Sequence, residues 1–134
     1  MIPLAACSRR PATRTWKNAP PSLRTVLEGS RLHGEKIFLV YEDERWTDAE
    51  AHREVGAVAS WLVSQGVAPG DRVAIAMRNY PEWMISYWAT ISIGAAAVGL
   101  NAWWTTAEMT YGMQDAAPKV LICDAERLER WLPS

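Results

Sequence analysis

The sequence predicts an α/β fold, a partial parallel sheet built as a βαβαβ unit and preceded by a β-hairpin and a helix. Three observations predict it. The apolar runs Arg72–Met77, Ala95–Leu100 and Lys119–Cys123 begin 23 and 24 residues apart. Short, nearly continuous apolar runs suit strands buried on both faces of a parallel sheet. Between them lie two segments with helical patterns, and strands alternating with helices point to right-handed crossovers.

The elements follow in order. Residues 1–36 mix Arg with Pro3, Pro11, Pro20 and Pro21, and only Leu23, Val26 and Leu27 show helical spacing. One short helix near 21–28 is expected there, with Gly29 at its C-terminus. From Ile37 the character changes, so residues 37–134 are taken as a unit distinct from the basic, mostly irregular segment 1–36. Ile37–Tyr41 is β-branched and aromatic, Glu42-Asp43-Glu44 is a polar turn, and Arg45-Trp46-Thr47 completes a hairpin. Thr47-Asp48-Ala49-Glu50 is a capping-box pattern. Behind it Val55, Val58, Ala59 and Leu62 fall on one helical face. Gly66 ends that helix, and Pro69-Gly70 turns the chain into the first parallel strand.

After Met77, Asn79 is the expected cap of a helix over about 80–93, with Pro81 in its first turn. That helix carries Trp83, Met84, Ile85, Tyr87, Trp88 and Ile91 and is apolar nearly all round, so it must be buried. Periodicity alone leaves open a helix that continues past Gly94, because the strand Ala95–Leu100 is rich in Ala and Gly. Thr105-Thr106-Ala107-Glu108 repeats the capping box before a helix to about Asp115, and Pro118 stops it. Asp124 caps a last turn or two carrying Leu128, Trp131 and Leu132.

Composition bounds the rest. The 134 residues make one domain's worth of chain, and 49% hydrophobic with 22% charged residues reads as globular. Net charge is −1, but residues 1–36 hold seven Lys/Arg against two Asp/Glu, whereas 37–134 hold seven against thirteen. The basic head is read as a solvated terminus, with an acidic partner or membrane surface as the alternative. Nothing points to nucleic acid. Cys7 and Cys123 support no disulfide framework, and Cys123 is expected buried and reduced. His33 and His52 are too few and too far apart for a metal set. Leu4-Ala5-Ala6-Cys7 looks like a lipoprotein cleavage site, but the six residues before Cys7 are too few for a signal peptide, so export is rejected. The uncharged stretch Trp83–Ala107 contains Ser86, Thr90, Ser92, Asn101, Thr105 and Thr106, which argues against a membrane span.

No catalytic constellation emerges from the residues. Gly94 and Gly99 have the spacing of a phosphate loop's outer glycines, but they follow a helix and no Lys-Ser/Thr comes after them. Neither histidine sits in a nucleophile motif. Glu42, Asp43 and Glu44 are read as a solvated turn. Trp103-Trp104 is read as a loop packing on the core, with ligand stacking as the alternative. No catalytic, cofactor-binding or metal residue is assigned.

The wording of the chain carries more. Residues 38–47 (FLVYEDERWT), 66–83 (GVAPGDRVAIAMRNYPEW) and 98–123 (VGLNAWWTTAEMTYGMQDAAPKVLIC) closely resemble the N-terminal part of the adenylate-forming family, specifically a bacterial fatty-acid or other carboxylate–CoA ligase. The resemblance covers residues 16 to 132. It implies an incomplete piece of a large N-terminal domain, in an enzyme that uses Mg-ATP to turn a carboxylate into an acyl-adenylate and passes it to CoA. The family's Ser/Thr/Gly-rich loop, aromatic-Gly-x-Thr-Glu motif, ribose-holding aspartate and C-terminal lysine do not occur here. ATP, Mg and CoA are therefore implied only for a complete enzyme, and this chain alone is expected to be inactive. Two positions depart from the family pattern: Asp48 stands where an aromatic is usual, and Gly99 where a proline is. The partners implied are a small carboxylate and CoA, with a complementary fragment or self-association for the chain alone and cytoplasmic location. The competing readings are a non-catalytic interaction module and a small membrane-associated protein.

Overall fold

The computed structural model describes residues 17–132. The basic stretch before residue 17, with Cys7 and the Leu4–Cys7 motif, lies outside the described residues. Helix α1 spans Leu23–Ser30, and the Ser22 side chain caps it by accepting from the Thr25 amide. A 3-10 turn, Arg31–His33, follows and ends at Gly34, whose φ of +52° reverses the chain. Gly34 thus does what the sequence assigned to Gly29, because the helix runs on through Ser30. Leu27 is buried in the same cluster as Ala51, Val55 and Leu62, so α1 belongs to the packed body.

Strands β1 (Ile37–Tyr41) and β2 (Glu44–Thr47) pair antiparallel as a hairpin, with Tyr41 opposite Glu44. Glu42, in the two-residue turn, takes the left-handed φ of +50°. The Arg45 guanidinium secures it, its Nη1 donating to the Glu42 and Glu44 carbonyls at 2.9 and 3.0 Å. Helix α2 (Asp48–Ser64) starts from the expected capping box. The Glu50 amide donates to Thr47 Oγ1, and Glu50 Oε2 accepts from the Thr47 amide at 2.9 Å.

Parallel strands β3 (Arg72–Ala76), β4 (Ala96–Gly99) and β5 (Val120–Cys123) form the second sheet in the order β4-β3-β5. Helix α3 (Pro81–Ser92) joins β3 to β4, α4 (Thr106–Ala116) joins β4 to β5, and α5 (Ala125–Trp131) follows. The pleat of β3 sends Val73 to one face, with Leu62, Ile85 and Ala89 of α2 and α3. Ala74 and Ala76 go to the other, with Met109 of α4 and partly buried Trp131 of α5. The β3–β4 and β4–β5 crossovers run in opposite directions across the sheet with their helices on opposite faces, which keeps both the same hand. The alternation of Val120 and Ile122 with Leu121 and Cys123 follows the same two clusters.

Several sequence expectations change in detail. Helix α3 ends at Ser92, and Gly94 turns at φ +79° to release β4, so the helix does not continue. Its N-cap is Tyr80, without a side-chain bond, and not Asn79. Pro81 forces the residue before it into extended backbone, which is cap geometry, and that moves the cap one position along. Within α3 only Glu82 is exposed, as an all-apolar helix requires. Cys123 is half-buried, because β5 has a partner on one side only among the described residues. No helix of the described residues is long and apolar enough to cross a membrane.

The two capping boxes make a test of this architecture. In α4, as in α2, the N-cap threonine accepts from an N3 glutamate amide, and that glutamate accepts back from the Thr105 amide at 2.8 Å. Hydrogen bonds from those threonine amides, and then from the threonine hydroxyls, hold Glu50 and Glu108 below the usual carboxylate range. Carboxylates with lowered folded-state pKa contribute stability above the ordinary carboxylate range and lose it as pH falls through the folded value. Thr47→Ala and Thr105→Ala are each expected to lower the unfolding free energy by ~1 kcal/mol. Urea midpoints read at neutral pH check this, and unchanged midpoints for both variants would remove the capping assignment.

Candidate ligand crevice at the strand ends

The loop after β3 turns toward the face of α3, whereas the loop after β4 turns toward the face of α4. In open α/β sheets such divergence at the carboxyl ends of neighbouring strands leaves a crevice where ligands bind. Here the crevice has a volume of about 520 Å³ and is lined by Tyr41, Arg78, Asn79, Tyr80, Ala102 and Trp103. An adjoining hollow of about 380 Å³ runs past Met77, Tyr80 and Glu82 to Cys123 and Asp124 at the end of β5.

Each wall is placed by local chemistry. Tyr41 ends β1 and meets Tyr80 edge to face, with ring centroids 5.8 Å apart. Burial, together with the neighbouring Glu42 charge, pushes the Tyr41 hydroxyl pKa up, so it stays a protonated donor. The β4–α4 loop is folded by Asn101, whose side-chain oxygen accepts from the Trp103 amide at 2.9 Å and whose carbonyl accepts from the Trp104 amide at 3.1 Å. This is the turn chemistry that Asn favours. The Arg78 guanidinium lies 4.5 Å from the Trp103 ring centroid, within cation–π range.

Asp124 ties the floor together. Its Oδ2 accepts from the Arg78 amide at 3.2 Å and its Oδ1 from the Arg127 amide at 2.9 Å. Burial alone would raise its pKa. Hydrogen bonds from the two amides, with the Arg127 guanidinium 3.2 Å away, outweigh that and hold it below the usual range. Asp124 is thus an anion at neutral pH and serves as a cap and a charge partner. Chemically the crevice offers an aromatic shelf, one exposed cation at Arg78 and a protonated phenol. That set suits stacking and holding an anionic or planar group, and it contains no nucleophile–base pair.

The residues weighed in the sequence separate accordingly. Trp104 packs on the core beside Met109, but Trp103 is 67% exposed, so the core-packing expectation fails for it. The Asn101 turn sends the two neighbouring side chains in different directions. Glu42 and Asp43 occupy the hairpin turn, while Glu44 is in β2 and its Oε2 accepts from Trp46 Nε1 at 3.1 Å. Gly94 closes a turn against Pro69, and Gly99 pairs with Ile75 in the sheet. Among the described residues no group of three His, Cys, Asp or Glu side chains is placed to hold a metal ion. Arg78, Tyr41 and Tyr80 were not singled out from the sequence, since no motif marks residues that only the fold brings together.

A profile of AMP-binding enzymes matches residues 28–133. The chain belongs to the AMP-binding enzyme family. It is 30% identical over 110 residues to a medium/long-chain-fatty-acid–CoA ligase of Mycobacterium tuberculosis, covering 81% of this chain and 18% of that one. It is also 30% identical over 128 residues to malpinin synthetase of Mortierella alpina, covering 90% of this chain and 2% of the synthetase. Among solved structures, an anthranilate CoA ligase in complex with anthranoyl-AMP superposes with a TM-score of 0.76. That match has 28% identity and covers 80% of this chain and 21% of the ligase. O-succinylbenzoate CoA synthetase from Bacillus subtilis, in complex with AMP, gives 0.70 at 30% identity, covering 75% and 26%. The chain thus spans about a fifth of the length of its CoA-ligase relatives. The AMP-binding fold class expected from the sequence is the one observed, an α/β body with a three-stranded parallel sheet and a hairpin.

Proposed function

We propose that this chain is a piece of the large domain of an ATP-dependent carboxylate–CoA ligase, which activates an acid as its adenylate and transfers the acyl group to CoA. The observation that carries the reading is the family match over residues 28–133, supported by the crevice at the ends of β3 and β4. Relatives named as ligases of fatty acids, hydroxybenzoates and 2-succinylbenzoate share one functional group, a carboxylate. A small carboxylic acid is accordingly the substrate class. ATP, Mg and CoA would be met with the remainder of the enzyme, and the compartment proposed is the cytoplasm. Among the described residues the crevice has one exposed cation, Arg78, and the sequence carries no Gly-rich phosphate loop. Phosphoryl and adenylyl chemistry leans on preorganised cations and amides, so the chain alone is inactive.

The test is carboxylate-dependent ATP–pyrophosphate exchange. The purified 134-residue chain is expected at background, and exchange above background would sink the claim of inactivity. Addition of the remaining segment of a relative's ligase is expected to raise exchange if the chain is a functional piece. A second reading, an interaction module, is favoured by one observation: β4 and β5 each have a sheet partner on one side only among the described residues. Open strand edges template pairing with other chains. Light scattering on the same preparation separates the two, since a monodisperse 15.0 kDa monomer would count against edge pairing as its role.

A further inference from the structure

We propose that Arg127 is a positioning residue, which with Asp124 fixes the Ala102–Trp103 wall of the crevice and hence the shelf on which a ligand stacks. Arg127 sits in a seven-residue helix at the rim of the sheet, yet it is only 1% exposed and is among the largest fully buried side chains. Burying a guanidinium requires close compensation, because the penalty for taking an ion out of water is several kcal/mol. The compensation here comes through Nη1 and Nε, Nη2 being buried without a partner among the described residues, and it links all three strand ends. Nη1 donates to both Asp124 oxygens at 3.3 and 3.2 Å and to Glu126 Oε2 at 2.8 Å. Nε donates 2.9 Å to the carbonyl of Ala102, 25 residues away in the loop after β4. Asp124 in turn holds the Arg78 amide after β3. One buried cation therefore couples the ends of β3, β4 and β5.

The coupling reaches the shelf. The Arg127 Cζ lies 5.9 Å from the Trp103 ring centroid, and Arg78 lies on the same ring at 4.5 Å. Arg130 adds a donation to the Trp104 carbonyl at 3.1 Å, and Thr106 Oγ1 donates back to the Arg130 carbonyl at 2.9 Å. The planar, forked guanidinium makes these bonds in several directions at once, which a lysine ammonium at the end of a flexible stem does not reproduce. The loop that carries Trp103 is thus held by two arginines of α5, and Arg127 is the buried one. The consequence for ligand binding rests on the ligase reading, whereas the placement of Trp103 does not.

Trp103 fluorescence reports on this directly. In the 134-residue chain, Arg127→Met is expected to lower the anisotropy of the Trp103 emission and raise its quenching by acrylamide. Both changes should vanish on a Trp103→Phe background, which isolates that ring from the other tryptophans. Arg127→Lys keeps a cation beside Asp124 and should change the signal in the same direction by less. It also supplies the reading should the methionine variant fail to fold. A folded Arg127→Met or Arg127→Lys chain with the wild-type Trp103 signal would overturn the proposal. An effect that persists without Trp103 would assign Arg127 to general stability, and that too overturns it. Titration with CoA or ATP, made after the remaining segment of a relative's ligase is added, then reads the ligand consequence, with weaker binding expected in the variants. If neither probe binds the reconstituted wild-type enzyme, the ligase reading of the crevice fails, while the Trp103 signal of the chain alone still decides the role of Arg127.

Discussion

Leu62→Ala is expected to lower the unfolding free energy by about 2–5 kcal/mol. Leu62 is fully buried in the last turn of α2, and its carbonyl accepts from the Val67 amide where the chain turns toward β3. Around it lie Val55, Val67, Val73, Ile85 and Ala89, contributed by α2, the loop after it, β3 and α3. Truncation removes the side chain's transfer free energy and leaves a cavity that these partners fill only in part. A domain of this size has a total stability of about 5–15 kcal/mol, so the loss is a large fraction of the whole. The neighbouring Trp61 is 46% exposed, and Trp61→Ala should cost far less despite deleting more atoms. Urea unfolding with both variants checks this. Equal midpoint shifts would mean that burial on this face has been misassigned.

Gly112→Ala is the second large effect, and its direction runs against helix propensity. In an exposed helix interior the substitution stabilises by roughly 0.8–1 kcal/mol. Gly112 lies within α4, but a Cβ there would stand 2.7 Å from Trp104 Cζ3 and 3.4 Å from Leu100 Cδ2. The indole would have to move, and overpacking of this kind costs about 1–3 kcal/mol. The net expectation is destabilisation by up to about 2 kcal/mol once the propensity gain is subtracted. Gly56 in α2 has open space around its Cβ position, so Gly56→Ala should stabilise. Opposite signs for the two glycines in thermal or urea melts are the expected result, and a stabilised Gly112→Ala chain would contradict the packing described.

Much of this fold was legible in the sequence. Val73, Ala97 and Leu121 fall in strands because their runs are apolar on both faces, and Thr47, Thr105 and Asp124 cap helices because their side chains compete for the next amides. Local rules also failed locally. Asn79 is the better capping residue by chemistry, but Pro81 imposed cap backbone on Tyr80. The strand order was not legible, since periodicity says nothing about the side of β3 on which Val120 will land. For the same reason the crevice was invisible. Tyr41 comes from the end of β1 and Arg78 and Trp103 from two loops, and what brings them together is the divergence of two crossovers to opposite faces. The split fate of Trp103 and Trp104 depends on one Asn101 turn, which a composition-based reading of an aromatic pair does not contain.

The sheet order has a consequence for chain entropy. The hairpin closes over Glu42 and Asp43, whereas β3 meets β4 only by looping out residues 77–95, and β5 only by looping out residues 77–119. The second excursion is more than twice the first, yet closure entropy grows only with the logarithm of length. The difference comes to about 0.7 kcal/mol. Burying one methylene contributes about 0.8 kcal/mol. A strand reading Val-Leu-Ile-Cys brings several more methylenes to β3 than one reading Ala-Ala-Val-Gly. Distance along the chain is therefore a minor obstacle to seating the far strand beside the central one, and the greasier side chains of β5 outweigh it.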